Sequence, residues 1–289
     1  MTAIKTSIAL LHPGEMGAAV GACLAGRGHR VHWTSAGRSA ATAARAKAAG
    51  LEDAGTLQQA VERAEVVLSV CPPHAALALA REVAGAGFRG VFVDCNAVAP
   101  ETARAIAKIV QAAGAKCVDG GIVGPPPTQS GRSRMFLSGP AREQVALLFE
   151  GSNMQAVPLD GPVGAASALK ACYAAWTKGA TALLTAIRAL ARHEGVEPAL
   201  LEEWQRSQPD LPKRSEVVTA QARKAWRWVG EMEEIAAGFR AAGLPEGFHL
   251  AAGEIYRHLE RFKDAGEAPS LDEVLAALGE QETLRSRRA

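Results

Sequence analysis

The sequence predicts an N-terminal α/β domain built on a doubly wound parallel sheet, followed by an all-α domain. At 289 residues the chain has about twice the length of a typical single domain. Short apolar runs alternate with helical stretches in the first half, as in β-α-β units, and strand-like runs stop after Asp160. We therefore expect one domain over residues 1–160 and a second over 161–289.

Six short apolar runs in the first half predict strands, and each run is followed by a turn or an Ala-rich stretch. The predicted strands are Ser7 to Leu11, Arg30 to Thr34, Glu65 to Val70, Gly90 to Asp94, Lys116 to Val118 and Ser133 to Leu137. The predicted helices between and after them are Glu15 to Arg27, Ala40 to Ala49, Ala75 to Ala84, Pro100 to Ala113 and Ala141 to Phe149.

The second half shows helical patterning only. Its predicted helices are Val163 to His193, Pro198 to Ser207, Arg214 to Ala241, Gly247 to Lys263 and Leu271 to Leu278. The first of these would extend about 45 Å at 1.5 Å per residue, longer than a small domain needs. We expect it to span the interface between the two halves, and its apolar faces predict a two-fold homodimer that buries the C-terminal domain.

Composition excludes several classes of protein. The 32 basic and 30 acidic residues nearly balance, and the basic ones are dispersed except for Arg285, Arg287 and Arg288, so no nucleic-acid surface is expected. The apolar runs are too short to cross a bilayer, and we expect no export signal and a cytoplasmic protein. The five cysteines form no C-x-x-C pair and are expected to be reduced and buried.

A glycine-rich turn follows the first predicted strand and precedes a helix. Gly14 and Gly17 match the last two glycines of G-x-G-x-x-G, whereas His12 occupies the position of the first. Amides at a helix N-terminus attract anions, so this turn predicts a Rossmann-type phosphate loop. The residues expected to contact a dinucleotide here are His12, Pro13, Gly14, Glu15 and Met16.

The end of the second strand predicts NADP rather than NAD. NAD-specific folds place an acid about twenty residues beyond the loop to bind the adenosine ribose, yet no acid occurs from Met16 to Leu51. This segment instead offers a guanidinium and hydroxyls to a phosphate dianion. The residues are Thr34, Ser35, Arg38 and Ser39.

The order of motifs along almost the whole chain resembles the β-hydroxyacid dehydrogenase superfamily, which includes 3-hydroxyisobutyrate and 6-phosphogluconate dehydrogenases and, more distantly, imine reductases. The resemblance rests on the glycine loop, on Asp94 to Pro100, on Asp119 to Gly124, and on a glycine-led segment from Gly161 to Lys170. It implies a nicotinamide cofactor and a catalytic lysine, here Lys170, that gives or takes the proton during hydride transfer.

The sequence also departs from the family pattern. Val123-Gly124-Pro125 stands where members have Ser-Gly-Gly to hold a substrate carboxylate, and Tyr173 and Ala174 stand where they have Asn-Asn. The late-helix Lys-Asp pair is replaced near Glu231. These departures resemble a less characterised subgroup with its own type of C-terminal domain.

The resemblance implies that Lys170 is catalytic. Tyr173 lies three positions further along the predicted helix and shares its face, so it is the second predicted catalytic residue. Strand ends suggest further contacts, since ligands bind at the carboxyl edge of parallel sheets. The remaining cofactor residues are Val70, Cys71, Pro72 and Asn96. The substrate residues are Gly121, Ile122, Val123, Gly124 and Glu231. No histidine has metal-ligand spacing, so we expect no metal.

Three functions remain open at this point. The first is an NADP-dependent dehydrogenase acting on a small hydroxy acid or its carbonyl form. The second is an imine reductase, favoured by Tyr173 and by the altered carboxylate motif but disfavoured by the retained Lys170. The third is an NADPH-binding sensor or scaffold without turnover, suggested by the weakened glycine loop.

Overall fold

A computed structural model describes residues 5–263 and 265–279. The chain divides between Ala171 and Cys172 into an α/β unit and a helical unit. A single long helix crosses this division, and its first residues belong to the α/β unit, whereas the sequence pattern changes at Asp160. The predicted basic tail at Arg285, Arg287 and Arg288 lies outside the described residues.

The α/β unit contains eight strands and six complete helices among the described residues. The strands are β1 Ser7–Leu11, β2 Arg30–Trp33, β3 Glu52–Asp53, β4 Val66–Ser69, β5 Val91–Asp94, β6 Lys116–Val123, β7 Ser133–Ser138 and β8 Met154–Pro158. The helices are α1 Glu15–Gly26, α2 Ala40–Ala48, α3 Leu57–Arg63, α4 Pro73–Gly85, α5 Pro100–Ala112 and α6 Arg142–Leu148.

The strands form one sheet in the order β3-β2-β1-β4-β5-β6-β7-β8. The first six positions follow the Rossmann order, and all their pairings are parallel. The pairing of β6 with β7 is antiparallel, and β8 pairs parallel with β7. The sheet is therefore mixed, and the expectation of a wholly parallel sheet is wrong for its last two strands.

Both faces of the sheet are buried, which explains why its strands are continuous apolar runs. On β1, Ile8 and Leu10 point into one core cluster, while Ala9 and Leu11 point into the other. The helices cover both faces, so the carboxyl edge of the parallel strands is the part of the sheet open to a ligand.

The helical unit continues from the long helix α7 Ala165–His193, which begins in the α/β unit. Its other helices are α8 Glu197–Ser207, α9 Leu211–Ser215, α10 Val217–Ala241, α11 Gly247–His258 and α12 Leu271–Gly279. The predicted helix from Arg214 to Ala241 is divided near Glu216, and the predicted helix from Gly247 ends in a 3₁₀ turn at Leu259–Phe262.

The core of the helical unit contains the fully buried Tyr256, which donates a hydrogen bond to the carbonyl oxygen of Lys178 at 2.6 Å. The ring of Trp228 packs edge-on against Tyr256 at a centroid distance of 4.9 Å.

Among the described helices, none combines the length and apolar character needed to cross a membrane. Of the cysteines, Cys172 is exposed and Cys71 is half-buried, so the expectation of buried thiols is wrong for these two residues.

Candidate cofactor and catalytic site

The turn between β1 and α1 has the backbone shape of a phosphate loop. Gly14 is the N-cap of α1, and no side chain caps this helix end. A Cβ atom on Gly14 would meet no other atom within 4 Å, so this side of the loop is open. A Cβ atom on Gly17 would lie 2.5 Å from the carbonyl oxygen of His12 and 3.6 Å from Cβ of Val70, so only glycine allows this close packing.

His12 occupies the position of the missing first glycine and adopts its backbone conformation. Its φ is +68°, the one positive φ of a non-glycine residue among the described residues. Such a conformation costs roughly 1–3 kcal/mol for a residue with a side chain, although His tolerates it better than most. Burial, with a smaller effect of the nearby Arg38 guanidinium, lowers the pKa of His12 to about 4.

Two arginines from the β2–α2 segment contact this loop. The exposed Arg38 has its Nη2 atom 2.8 Å from Nε2 of His12, and Nε of Arg45 donates to the carbonyl oxygen of Pro13 at 3.4 Å. Ser39 is the N-cap of α2 and accepts a hydrogen bond from the amide of Thr42 at 3.3 Å. Sequence reasoning missed Arg45, because its position inside a helix gives no signal that it faces the loop.

The predicted contacts at the end of β4 are held in place by Asn96. The side chain of Asn96 is buried; its Oδ1 accepts from the amide of Cys71 at 2.6 Å, and its Nδ2 donates to Oγ of Ser69 at 2.8 Å and to Oδ1 of Asp94. Asn96 thereby fixes Cys71 at the carboxyl edge of the sheet. A contact of Asn96 with a cofactor stays a prediction. Burial raises the pKa of the Cys71 thiol to about 11, so this cysteine is not a nucleophile near neutral pH.

Other predicted cofactor residues lie beside these groups. Thr34 is buried directly after β2, and the amide of Arg38 donates to the carbonyl oxygen of Ser35 at 3.0 Å, closing a turn. Pro72 is the N-cap of α4, so the segment Val70 to Pro72 connects β4 to the start of that helix. The α/β unit thus brings the predicted residues of β1, β2 and β4 to one edge of the sheet.

Helix α7 carries Lys170, and the buried carboxylate of Asp119 anchors the first turn of this helix to the sheet. Oδ2 of Asp119 accepts from the amides of Gly164 at 2.9 Å and Ser167 at 3.0 Å, and Oδ1 accepts from the Ser167 hydroxyl at 2.6 Å. The hydroxyl of Ser138 also donates to Oδ2 at 3.0 Å. A carboxylate at a helix N-terminus satisfies its first amides and complements its dipole. Asp119 therefore fixes where α7 begins, and with it the position of Lys170.

Gly121 on β6 allows α7 to approach the sheet closely at Lys170. A Cβ atom on Gly121 would lie 2.6 Å from the carbonyl oxygen of Ala166 and 3.0 Å from Cβ of Lys170. The close packing of α7 against β6 is thus sufficient to explain why this position is a glycine. Contact between Gly121 and a substrate stays a prediction.

We expect Gly121→Ala to lower the free energy of unfolding by about 1–3 kcal/mol, because the added methyl group must displace the backbone of α7. Urea unfolding measures this change. Gly26→Ala is the matched control, since a Cβ atom at the end of α1 meets no atom within 4 Å and should leave stability equal or higher. Equal stability of Gly121→Ala and the native chain would contradict the packing described for α7.

The other predicted substrate residues of β6 are mostly inside the fold. The side chains of Ile122 and Val123 are buried, and Gly124 has φ +114° with the carbonyl oxygen of Arg132 only 2.3 Å from where a Cβ atom would lie. Gly124 is therefore required by the turn that leaves β6. Any contact of Ile122 or Val123 with a substrate would have to come from their backbone atoms.

Two predicted site residues belong to the helical unit. Tyr173 lies on α7, three positions after Lys170, with 48% of its surface exposed. Glu231 on α10 is buried and forms an ion pair with Lys178, whose ammonium group lies 5.3 Å from the centre of the Trp228 ring. Sequence reasoning singled out Glu231 but did not predict that Lys178 is its partner.

The α/β unit fits a nicotinamide dinucleotide. It provides an open glycine cradle at a helix N-terminus, and two guanidinium groups from the β2–α2 segment contact this loop; both kinds of group bind phosphates. For metals, the described part of the chain contains no group of three His, Cys, Asp or Glu side chains placed to hold an ion.

Comparison with known families agrees with this architecture. The model of the NAD-binding domain of 6-phosphogluconate dehydrogenase matches residues 7–148, and a domain of unknown function matches residues 191–259. The fold and the phosphate loop define a protein with a nicotinamide-dinucleotide-binding Rossmann domain. The chain belongs to the β-hydroxyacid dehydrogenase superfamily of NAD(P)-dependent oxidoreductases, in the subgroup that carries this uncharacterised C-terminal domain.

Two curated relatives are similar to this chain. The 3-hydroxyisobutyrate dehydrogenase of Pseudomonas aeruginosa is 30% identical over 214 residues, which cover 68% of each protein. An uncharacterised 28.5 kDa protein of Methanothermus fervidus is 30% identical over 166 residues, which cover 57% of this chain and 63% of that protein. The chain thus spans about two thirds of the length of these relatives.

Solved structures share the fold over nearly the full chain. The 3-hydroxyisobutyrate dehydrogenase of Mycobacterium tuberculosis, solved with L-serine, gives a TM-score of 0.70 at 19% identity and covers 95% of this chain and 99% of its own. A reductive aminase from Aspergillus terreus, solved with NADPH and ethyl levulinate, gives a TM-score of 0.57 at 20% identity and covers 96% of this chain and 99% of its own.

Proposed function

We propose that this chain is an NADP-dependent oxidoreductase that transfers a hydride between NADP(H) and a small hydroxy acid or its carbonyl form, with Lys170 as proton donor and acceptor. The observation that carries this proposal is the anchoring of Lys170. Asp119 fixes the start of α7 to the same α/β unit that holds the phosphate loop, next to the glycine strand β6. This anchoring supports the proposed role of Lys170, because ligands of such folds bind at the carboxyl edge of the parallel strands.

The choice of NADP rests on positive charge in the segment from the end of β2 to α2. Arg38 and Arg45 both contact the phosphate loop, and the hydroxyls of Ser39 and Thr42 lie 3.1 Å apart between them in the chain. No acidic residue occurs from Met16 to Leu51 that could accept hydrogen bonds from the ribose hydroxyls of NAD. Guanidinium groups near the loop favour the 2′-phosphate of NADP, because charge-assisted hydrogen bonds are stronger than neutral ones.

The proposed mechanism gives the protein two tasks. The α/β unit would hold a nicotinamide cofactor, which would supply hydride transfer to or from the carbinol carbon. Lys170 takes the hydroxyl proton on its neutral amine during oxidation and returns a proton to the carbonyl oxygen from its ammonium form during reduction. Tyr173 lies one helical turn further on the same face of α7, where its hydroxyl can bind the same oxygen.

A substrate panel tests this proposal. The full chain is assayed with NADPH or NADP⁺ against ketones, hydroxy acids and cyclic imines, and turnover of a hydroxy acid or its carbonyl form is the expected result. Turnover confined to cyclic imines would replace the proposal by an imine reductase. Binding of NADPH without turnover of any compound would favour a sensor or scaffold.

The imine reductase is the second candidate because of a specific local change. Val123-Gly124-Pro125 replaces the carboxylate-binding Ser-Gly-Gly of the family, and none of these three side chains has a hydroxyl group for an acidic substrate. A substrate without a carboxylate would suit such a site. The retained Lys170 still favours the hydroxy acid.

The helical unit presents an apolar stripe that we propose to be covered by a second copy of the chain. Tyr173, Trp176, Leu183 and Leu190 are 45–64% exposed and lie along one side of α7, at offsets of 3, 10 and 17 residues. Exposed apolar side chains in a continuous row mark an interaction surface. Tyr173 belongs to this stripe and is also a proposed site residue, so a dimer formed on the stripe would lie next to the proposed site.

We expect the native chain to be a dimer by light scattering at micromolar concentration, and Leu183→Glu with Leu190→Glu to make it a monomer, because a dimer would bury both charges. Leu147→Glu is the matched control, since Leu147 is 67% exposed on α6 and its substitution should leave the dimer intact. A native monomer, or a double variant that stays dimeric, would overturn the proposed interface.

A further inference from the structure

His12 is an unusual residue for its position. The position demands a positive φ, which glycine adopts freely and His12 adopts at +68°. Backbone strain that persists in a functional loop indicates that the side chain serves a purpose there. The question is therefore what the imidazole contributes that glycine would not.

The imidazole holds the guanidinium of Arg38. Nη2 of Arg38 lies 2.8 Å from Nε2 of His12, and because a guanidinium can only donate, Nε2 is the acceptor. The ring proton is then on Nδ1, which is buried without a hydrogen-bond partner in the described part of the chain. The ring thus leaves one nitrogen unsatisfied while it binds Arg38. Its pKa, lowered to about 4 by burial, keeps the acceptor available near neutral pH.

Arg38 would otherwise be a mobile group. It is exposed and follows Gly37, whose φ is +72°, in a turn before α2. Arginine loses much rotamer freedom when it is immobilised on binding. A guanidinium carries five N–H donors, and the contact with His12 uses one of them, so the others are left for an anion.

We propose that His12 is a positioning residue that sets cofactor selectivity: its imidazole holds the Arg38 guanidinium at the phosphate loop, so that the 2′-phosphate of NADP meets a cation already in place. This inference rests on the proposed preference for NADP. It assigns His12 a role in choosing between two cofactors, whereas the loop glycines serve both cofactors alike.

The test measures the dissociation constants of NADPH and NADH for the full chain and for His12→Gly by titration. We expect the preference for NADPH, measured as the dissociation constant of NADH divided by that of NADPH, to fall about three- to tenfold in His12→Gly. This is the range expected when one side chain with many rotamers loses its preorganisation. Affinity for NADH should stay within about twofold and thermal stability should not fall, because glycine relieves the positive φ. If His12 had only a structural role, its substitution would change the affinities for both cofactors equally. That result would overturn the inference.

His12→Asn separates the tether from loop flexibility. Asparagine tolerates a positive φ but has a shorter side chain and is less flexible than glycine. We expect His12→Asn to lose selectivity as His12→Gly does. If His12→Asn keeps the native selectivity, loop flexibility explains the glycine variant and the inference is wrong.

A double-mutant cycle with Arg38→Ala completes the test. His12→Gly should have no further effect on selectivity once Arg38 is absent, and an equal effect in both backgrounds would overturn the inference. A native chain that binds NADH as well as NADPH would refute the proposed cofactor itself. A native preference for NADPH that Arg38→Ala abolishes but His12→Gly leaves intact would refute only the role of His12.

Discussion

Lys170→Ala is expected to lower turnover about a hundredfold to ten-thousandfold, the usual contribution of general acid–base catalysis, while the affinity for NADPH changes little. In the proposed mechanism Lys170 exchanges the substrate proton, whereas the phosphate loop and the segment after β2 would hold the cofactor. Steady-state kinetics with the substrate found in the panel, together with NADPH titration, measures both quantities. Near-normal turnover of Lys170→Ala would place the proton-transfer group elsewhere.

Lys170→Arg distinguishes proton transfer from charge. Arginine keeps the positive charge but does not release its proton near neutral pH, so it should restore little activity. If Lys170→Arg retains most of the turnover, Lys170 orients the substrate by charge alone, and Tyr173 becomes the leading proton donor. Tyr173→Phe then tests that role directly, because it removes only the hydroxyl.

Arg38→Ala is expected to weaken NADPH binding by about 1.5–3 kcal/mol, or roughly 10- to 150-fold, and to change NADH binding little. The guanidinium is proposed to bind the 2′-phosphate, the group that NADH lacks. Isothermal titration with both cofactors gives the two affinities, and the NADPH difference should shrink as salt concentration rises.

Arg30→Ala is the matched control for Arg38→Ala. Arg30 is an exposed arginine at the start of β2 and pairs with Glu52 at 3.0 Å, away from the contacts of the phosphate loop. Its loss removes the same net charge without removing a loop contact. Equal losses of NADPH affinity in the two variants would indicate a general charge effect and would count against the NADP site.

Much of the fold could be predicted from local patterns. The strand β1 and the helices on either side of β2 were predicted to within a residue, because buried strands and Ala-rich helices leave periodic signals over a few residues. Helix α3 was missed although Thr56 and Gln59 form a capping box, which is a sequence signal. The edge strands β3 and β8 were missed for lack of a comparable apolar run; β3 has only two residues, both exposed.

The residues of the candidate site likewise fall into two groups, those that the sequence indicates and those that only the structure reveals. The glycine loop, Arg38 and Lys170 stand out because motif spacing and family resemblance identify them one by one. Arg45 and the anchoring role of Asp119 do not, because their partners are distant in the chain: Arg45 binds the carbonyl oxygen of Pro13, and Asp119 accepts hydrogen bonds from Gly164 and Ser167.

By itself the sequence determined the class of fold, the family and the chemical types of the site residues, since these depend on local periodicity and on short motifs. Only the tertiary structure decided that β7 runs antiparallel to β6, that His12 holds Arg38, and that Gly121 serves the packing of α7. The physical reason is that strand direction, hydrogen-bond partners and close packing depend on residues far apart in the chain. A local pattern states what a residue can do, whereas its partners are chosen by the fold as a whole.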